Sequence, residues 1–453
     1  MAEWASERVF YHIYPLGLCG APDSNDSRSP PEPRLEKLIP WLDHARSLGT
    51  SALYLGPVFQ SSTHGYDTAD YFAVDRRLGT NDTLAAVCAA AHERGIRVIL
   101  DAVFNHVGRD FWAFKDVQKN GRGSPYAAWF AGLSFDGKSP YGDPFSYEGW
   151  NGHLSLVKLD VRAAAVKEHL FAAVKQWVED YDIDGLRLDA ADCLDLDFLG
   201  ELSRFCRDLR SDFWLLGEIV HGDYRRWVGP TMLDSVTNYM CYKGLYSSHN
   251  DGNYFEIAWS LNRQFGSRGM YHGMPLYNFA DNHDVDRLAS SLKNPAHLRP
   301  LYCILFTMPG IPSVYYGSEW GIEGRHGQTD RLLRPSLELA EVAAHCPHPE
   351  LPALIRRLAE IRRGSAALLR GEYAQVHVAA RQLAYLRRTP EEFTLVVINS
   401  DERPVSLELP VPQIGDGQLL DLISDGERFP VAKGRLSLKS IPAAGARILV
   451  RAP

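Results

Sequence analysis

The run DGLRLDAAD, residues 184–192, sets Leu186 and Leu188 in alternation with Arg187 and Asp189. Successive side chains of a strand point to opposite faces. The two leucines therefore share an apolar face turned toward covering helices. The guanidinium and the carboxylate share the other face, at the C-terminal end of the strand, which is where (β/α)8 barrels build their active sites. Outward from this run, short apolar stretches of strand length recur at 9–14, 52–55, 98–102, 185–189, 214–218, 235–238, 276–280 and 313–316. Segments of helical period lie between them at 34–48, 82–94, 163–180, 195–210, 254–266, 296–307 and 351–362, with the weakest signal in the connection after 218. Strands alternating with helices argue for βαβ units around a parallel sheet. The fold class is read as α/β, a (β/α)8 TIM barrel.

Two stretches break this rhythm. Residues 105–160 are rich in Gly, Pro, Trp, Tyr and Phe and are too long for an ordinary βα connection. They read as a small inserted subdomain after the third strand. From 365 to 453 the pattern turns to alternating runs such as LAYLRR (383–388), FTLVVINS (393–400) and ARILVRA (446–452), joined by Pro, Gly and Asp turns. That stretch predicts a C-terminal antiparallel β-sandwich. The expected division is a barrel of 1–104 and 161–364, an inserted subdomain of 105–160 and a sandwich of 365–453.

Composition narrows the function classes. The 453 residues are 45% hydrophobic and 23% charged, ordinary globular values. Acidic residues outnumber basic ones 56 to 48, for a formal charge of −8, which argues against a nucleic-acid footprint or an anionic membrane surface. No apolar run reaches the length of a membrane span. The opening MAEWASERVFYHIYPLGLCG has acidic residues and a proline where a secretory leader needs a basic start and an unbroken apolar stretch, so a cytoplasmic location is expected. The seven cysteines are scattered and never in CxxC pairs, which points to free thiols rather than disulfides or a zinc site.

Several predicted strands end in groups that carry chemistry. FWLLGEIVH (213–221) ends in Glu218 after a largely apolar run, and apolar surroundings raise a carboxyl pKa as a general acid requires. NFADNHDVDR (278–287) supplies His283 and Asp284. IRVILDAVFNHVG (96–108) supplies Asp101, Asn105 and His106. Taken singly, each run has a structural alternative: a buried Arg–Asp pair, a salt-bridged Glu or a structural His. Their convergence on one rim does not suit stability, because like charges there repel. It suits carboxylate chemistry on a neutral polyol.

DAVFNH, GLRLDAAD, GEIVH and FADNHD, in this order and spacing, resemble the four motif regions of the α-amylase family, glycoside hydrolase family 13. HGYDTADYFAVD (64–75) is similar to the family's second-loop motif, and the likeness spans nearly the whole chain. The resemblance implies a retaining mechanism. Asp189 is then the nucleophile and Glu218 the acid and base, about 5 to 5.5 Å apart. Asp284 stabilises the transition state. Arg187 keeps Asp189 ionised and oriented, His106 and His283 hydrogen-bond the sugar at subsite −1, and Tyr66 stacks on it. Asp101 braces Arg187 and His106 from behind.

SYEGWNGHLSLVKLD (146–160) resembles the region that marks neopullulanases, cyclomaltodextrinases and maltogenic amylases, with Val157 in place of the usual Pro and Asp160 in place of the usual Asn. Asp330 and Arg334 in TDRLLRP (329–335) match a pair that contacts the −2 sugar. A solvated i,i+4 ion pair is the alternative. His221 falls in the substrate-binding set, with Val220 before it where that group typically has Trp. No cofactor is expected. The family's structural calcium uses Asn105 and a His at the position of Cys193, so calcium is possible but lacks its usual ligand. That group's N-terminal domain is not expected, because the first strand begins within ten residues of Met1.

The expected activity is hydrolysis of α-1,4 bonds in short α-glucans, maltooligosaccharides or cyclodextrins, by a monomer or homo-oligomer with no nucleic-acid or membrane partner. A 4-α-glucanotransferase using the same intermediate is the alternative, and a non-catalytic barrel relative a remote one.

Overall fold

The computed structural model describes residues 3–327, 329–424 and 426–453. Eight parallel strands form one sheet: β1 (Phe10–Ile13), β2 (Ala52–Leu55), β3 (Arg97–Ala102), β4 (Gly185–Leu188), β5 (Trp214–Gly217), β6 (Ser235–Val236), β7 (Tyr277–Asn278) and β8 (Ile311–Tyr315). Their spatial order, β6-β5-β4-β3-β2-β1-β8-β7, follows the chain around a ring. The ring closes between β6 and β7 through a parallel bridge from Thr237 to Tyr277 and a 2.8 Å bond from the Asn238 N–H to the Tyr277 carbonyl.

Alternation along the strands divides the barrel interior into levels. Phe10, Ala52, Ile99, Trp214 and Tyr277 point inward at the lower level, where Phe10, Trp214 and Tyr277 pack ring against ring with Trp4. Gly185, paired with Trp214, shares that level, and it is a glycine because a Cβ there would stand 2.3 Å from the Trp214 carbonyl oxygen. One level up, the inward positions are His12, Tyr54, Asp101 and Arg187. The apolar floor thus seals the barrel beneath a polar rim.

The covering helices are α1 (Leu38–Ser47), α2 (Asn81–Glu93), α3 (Ala164–Tyr181), α4 (Leu196–Leu209), α5 (Tyr239–Asn250), α6 (Tyr254–Phe265), α7 (Leu298–Thr307) and α8 (Leu351–Arg363). Thr80 caps α2 and Asp195 caps α4 by accepting backbone N–H bonds. The connection after β5 holds only a single 3-10 turn, Tyr224–Arg226, and two helices follow β6. The first of these, α5, has no counterpart in the periodicity reading. Its YMCYKGLYSSHN lacks a clean polar face and carries Gly244. Packing decides it: a Cβ on Gly244 would lie 3.2 Å from Ile257 Cδ1 of α6, so the glycine lets the two helices approach.

After β3, a three-stranded sheet of His106–Gly108, Gly149–Trp150 and His153–Lys158, with a helix at Trp112–Asn120, forms the insertion. The C-terminal unit is an eight-stranded antiparallel sheet: β9 (Glu372–Val378), β10 (Gln382–Arg388), β11 (Phe393–Asn399), β12 (Val405–Pro410), β13 (Gly417–Asp421), β14 (Arg428–Ala432), β15 (Arg435–Ile441) and β16 (Gly445–Arg451), in the order β9-β10-β11-β16-β13-β14-β15-β12. It folds over into a sandwich around Leu386, Leu395, Val397, Leu409, Leu436 and Leu438. The other faces of β10, β11 and β16 pack Tyr385, Ile398 and Ile448 into the core beneath the barrel helices. Buried on both sides, these strands read as continuous apolar runs.

Candidate active site

Register assembles the centre of the site. Asp101 on β3 pairs with Arg187 on β4, so carboxylate and guanidinium stand side by side on the inward face. Arg187 Nη1 donates to Asp101 Oδ1 (2.9 Å) and Oδ2 (3.0 Å) and to Asp189 Oδ1 (2.9 Å). Its Nη2 lies 2.8 Å from Glu218 Oε1. One buried guanidinium therefore holds acids from the ends of β3, β4 and β5. Asp101 also accepts from the hydroxyls of Tyr54 (2.7 Å) and Tyr66 (3.0 Å), and it is these tyrosines, not His106, that share it. The N–H of Ala190 donates to Glu218 Oε2 at 3.0 Å. Ala190 has φ 43°, a left-handed conformation that costs a residue with a Cβ and that turns the chain sharply after Asp189.

Past β7, Arg334 Nη2 donates to Asp284 Oδ1 at 2.9 Å and Arg334 Nε to the His283 carbonyl at 3.0 Å. His283 Nε2 lies 2.9 Å from Asp284 Oδ2 and also bonds the Tyr66 hydroxyl. The Tyr66 and His283 rings run nearly parallel, 9° apart, with centroids 5.4 Å apart. Asn105 Nδ2 donates to His106 Nδ1 at 3.1 Å, which leaves the ring proton on Nε2. That Nε2 is buried, has no hydrogen-bond partner among the described residues and stands 3.8 Å from Asp189 Oδ2, a donor available to a ligand hydroxyl.

The acids occupy different electrostatic environments. Burial raises the Glu218 pKa, with Arg187 opposing and Asp284 adding to the rise. Burial likewise pushes Asp189 up, with Glu218, Asp101 and Asp284 adding to the push and Arg187 pulling against them. The sequence reading has Arg187 lowering Asp189 outright; shared among three carboxylates, the guanidinium does not outweigh burial. For Asp284, burial alone would raise the pKa, but His283, Arg334 and Arg187 hold it far below the carboxylate range. Burial lowers His106 to about 3, so its ring is neutral.

Asp330 sits at the rim, Oδ2 3.1 Å from Arg334 Nη2, an i,i+4 pair whose arginine also serves Asp284. Trp150 of the insertion lies against His106 with ring centroids 5.7 Å apart. His221 is exposed in the turn after β5 and outside the bonded cluster. Tyr239 escapes the sequence reading: its hydroxyl reaches Glu218 Oε1 at 3.5 Å and accepts from Asn282 Nδ2 at 3.2 Å. Tyr14 likewise escapes it, lying under the Arg334 guanidinium at 4.7 Å. For Tyr14 the available signal was its place at the end of a strand; Tyr239 opens the unread helix α5.

Beside Asn105, whose Nδ2 donates to His106 Nδ1, Cys193 offers a thiol where a calcium ligand would be an oxygen or imidazole, and the adjoining cavity is lined by Lys158 and Arg162 as well as by Glu148, Asp160, Asp195 and Asp197. Among the described residues, no three His, Cys, Asp or Glu side chains are placed to hold a metal. None of the described helices is long and apolar enough to cross a membrane.

Comparison with known proteins agrees with this architecture. Residues 25–348 match the family model "Alpha amylase, catalytic domain", and 373–448 match "Maltogenic Amylase, C-terminal domain". A cyclomaltodextrinase of a Bacillus species is 33% identical over 423 residues, covering 88% of this chain and 74% of its own. Neopullulanase 2 of Thermoactinomyces vulgaris is 32% identical over 466 residues, covering 98% and 77%. The structure of a cyclic α-maltosyl-(1→6)-maltose hydrolase from Arthrobacter globiformis aligns with a TM-score of 0.82 at 26% identity, over 99% of this chain and 100% of that one.

Proposed function

The chain belongs to the α-amylase family of glycoside hydrolases, and on that footing we propose that it cleaves α-1,4-glucosidic bonds of short α-glucans with retention, through a glycosyl-enzyme intermediate on Asp189. One observation carries this reading. Arg187 grips Asp189 and Glu218 with its two terminal nitrogens, a bridge that favours the close carboxyl spacing of retaining enzymes, about 5–5.5 Å, over the wider spacing of inverting ones.

Burial raises both Asp189 and Glu218, which titrate as a pair, and the reaction starts from the form of the pair in which Glu218 carries the proton and Asp189 is the carboxylate. Asp189 attacks the anomeric carbon while the glycosidic bond breaks. Its electron pair goes to the leaving oxygen, which takes the Glu218 proton. Asp284, kept ionised by Arg334 and His283, faces the positive charge that develops on the ring. Glu218, now a carboxylate, then takes a proton from water, whose oxygen displaces Asp189 from the sugar. Neutral His106 donates from Nε2 to a sugar hydroxyl. We also place the protein in the cytoplasm, a reading supported by seven free cysteines, as a reducing compartment keeps them.

The test is an early time course on maltotriose, maltohexaose, β-cyclodextrin, pullulan and soluble starch, with the anomer released followed by proton NMR. Products shorter than the substrate, released first as the α-anomer and faster from small dextrins than from starch, are expected. A β-anomer appearing first would sink retention, and chains longer than the substrate would make transfer the main reaction.

A further inference from the structure

A cavity of about 650 Å³ opens beside the catalytic cluster, walled by the loops after β1, β2 and β8. Its inner end is formed by Tyr14, His64 and Arg334, the last bonded to Asp284. Glu218 stands on β5, across the ring from β1. The acid that protonates the leaving oxygen marks the aglycone side, so this cavity lies on the glycone side. Its size falls within the range of about 300–1,000 Å³ for pockets that hold one small ligand.

Two of its lining residues, Asp23 and Arg331, form a latch that ties its walls together. Arg331 Nε donates to Asp23 Oδ1 at 3.1 Å, and Arg331 Nη2 bonds Asp23 Oδ2. The backbone on the Asp23 side is fixed from below by Arg77, 5% exposed, whose Nη1 donates to the carbonyls of Pro22 (2.9 Å), Asp23 (3.2 Å) and Thr63 (2.6 Å) while Asp75 holds its Nε at 2.9 Å. The Arg331 side is pressed against the β1 loop so closely that a Cβ on Gly17 would stand 2.2 Å from the Arg334 carbonyl oxygen. The walls are fixed, and the bond between them is not: the Asp23 and Arg331 side chains are 63% and 71% exposed. Such pairs add little to stability and are screened by salt.

We propose that the Asp23–Arg331 pair is the end stop of the glycone side and sets how many sugar units are held beyond the cleaved bond. This rests on the hydrolase reading above. With the latch closed, an α-glucan seats only as much of its non-reducing end as the cavity holds. With the latch open, the chain runs out between the loops, and longer glycone fragments form.

The probe is maltoheptaose tagged at its reducing end, so that the untagged fragment counts the glycone units. Asp23→Ala and Arg331→Ala are each expected to raise the share of untagged fragments longer than the wild type's main one by about two- to fivefold, the weight of an exposed ion pair. The charge-swapped double variant Asp23→Arg/Arg331→Asp restores the wild-type profile. Sodium chloride at about 1 M, where screening acts within about 3 Å, shifts the wild type in the same direction and leaves the single variants unmoved. Identical fragment profiles for wild type, both single variants and high salt would overturn the latch, and the salt arm needs no variant to fold. A wild-type protein that releases no fragment from any dextrin would instead overturn the hydrolase reading itself.

Discussion

Arg187 is bonded to three carboxylates at once, and this decides how the site answers to substitution and pH. Removing the Asp189 charge relieves repulsion from Glu218, Asp101 and Asp284 while leaving an isosteric amide. Asp189→Asn should therefore fold with an unchanged or higher Tm and lose kcat by about a thousandfold or more. Near-normal turnover in that variant would remove Asp189 from the nucleophile's role. Burial raises Glu218, so activity falls as pH rises through its pKa, and it falls again at acid pH as Asp189 takes a second proton. The kcat/KM profile is a bell, and Glu218→Gln should abolish its alkaline limb. A Gln variant that keeps that limb would assign it elsewhere. Most residues of this cluster are legible in the sequence, because a charged side chain that ends an apolar strand is conspicuous. Tyr239 and Tyr54 are not, because an aromatic in an apolar run reads as core until register shows which acid its hydroxyl meets.

Helix α5 shows where periodicity runs out. Its residues bury Gly244, Leu245, Ser247, Ser248 and His249, so polar and small groups face the core and the apolar stripe is broken. Both ring nitrogens of His249 are satisfied in its neutral form. Its Nδ1–H donates to the Leu245 carbonyl (2.6 Å), and its Nε2 accepts from the Tyr254 hydroxyl of α6 (2.9 Å). Burial lowers its pKa to about 3, against about 6.5 when unfolded. The unfolded chain binds the extra proton between those values. The stability is therefore fully present above pH about 6.5 and is lost, by about 1.4 kcal/mol per pH unit, as pH falls toward 3. His249→Gln should flatten the dependence of the urea-unfolding free energy on pH between 7 and 4.5 by about one proton. An unchanged slope would show that His249 does not titrate on unfolding.

Across the whole molecule, two arginines meet one helix end where the barrel adjoins the C-terminal sheet, Arg362 from the barrel side and Arg387 from the sheet. Arg362 of α8 donates to the Phe306 carbonyl at 3.1 Å, and Arg387 of β10 donates to the Thr307 carbonyl at 2.8 Å. Both are 1% exposed, and their bonds run to carbonyls, where cations offset the partial negative charge of a helix C-terminus. Arg387→Met should leave the carbonyls of Thr307 and Gly371 short of donors and cost about 2–4 kcal/mol in chemical denaturation. A loss below about 0.5 kcal/mol would mean that apolar packing alone joins the two units. The sequence by itself determined the alternation of eight strands with helices, the insertion after the third strand, the change to antiparallel strands at the end, and the acids at the strand ends. Each of these is written in local periodicity or in a side chain out of place on its face. Only the tertiary structure decided the α5–α6 pair, the sharing of Arg187 among three acids, the neutrality of His106 and the latch from Asp23 to Arg331. Those depend on which residues distant in the chain burial and register bring within a few ångströms, and local patterning does not encode that distance.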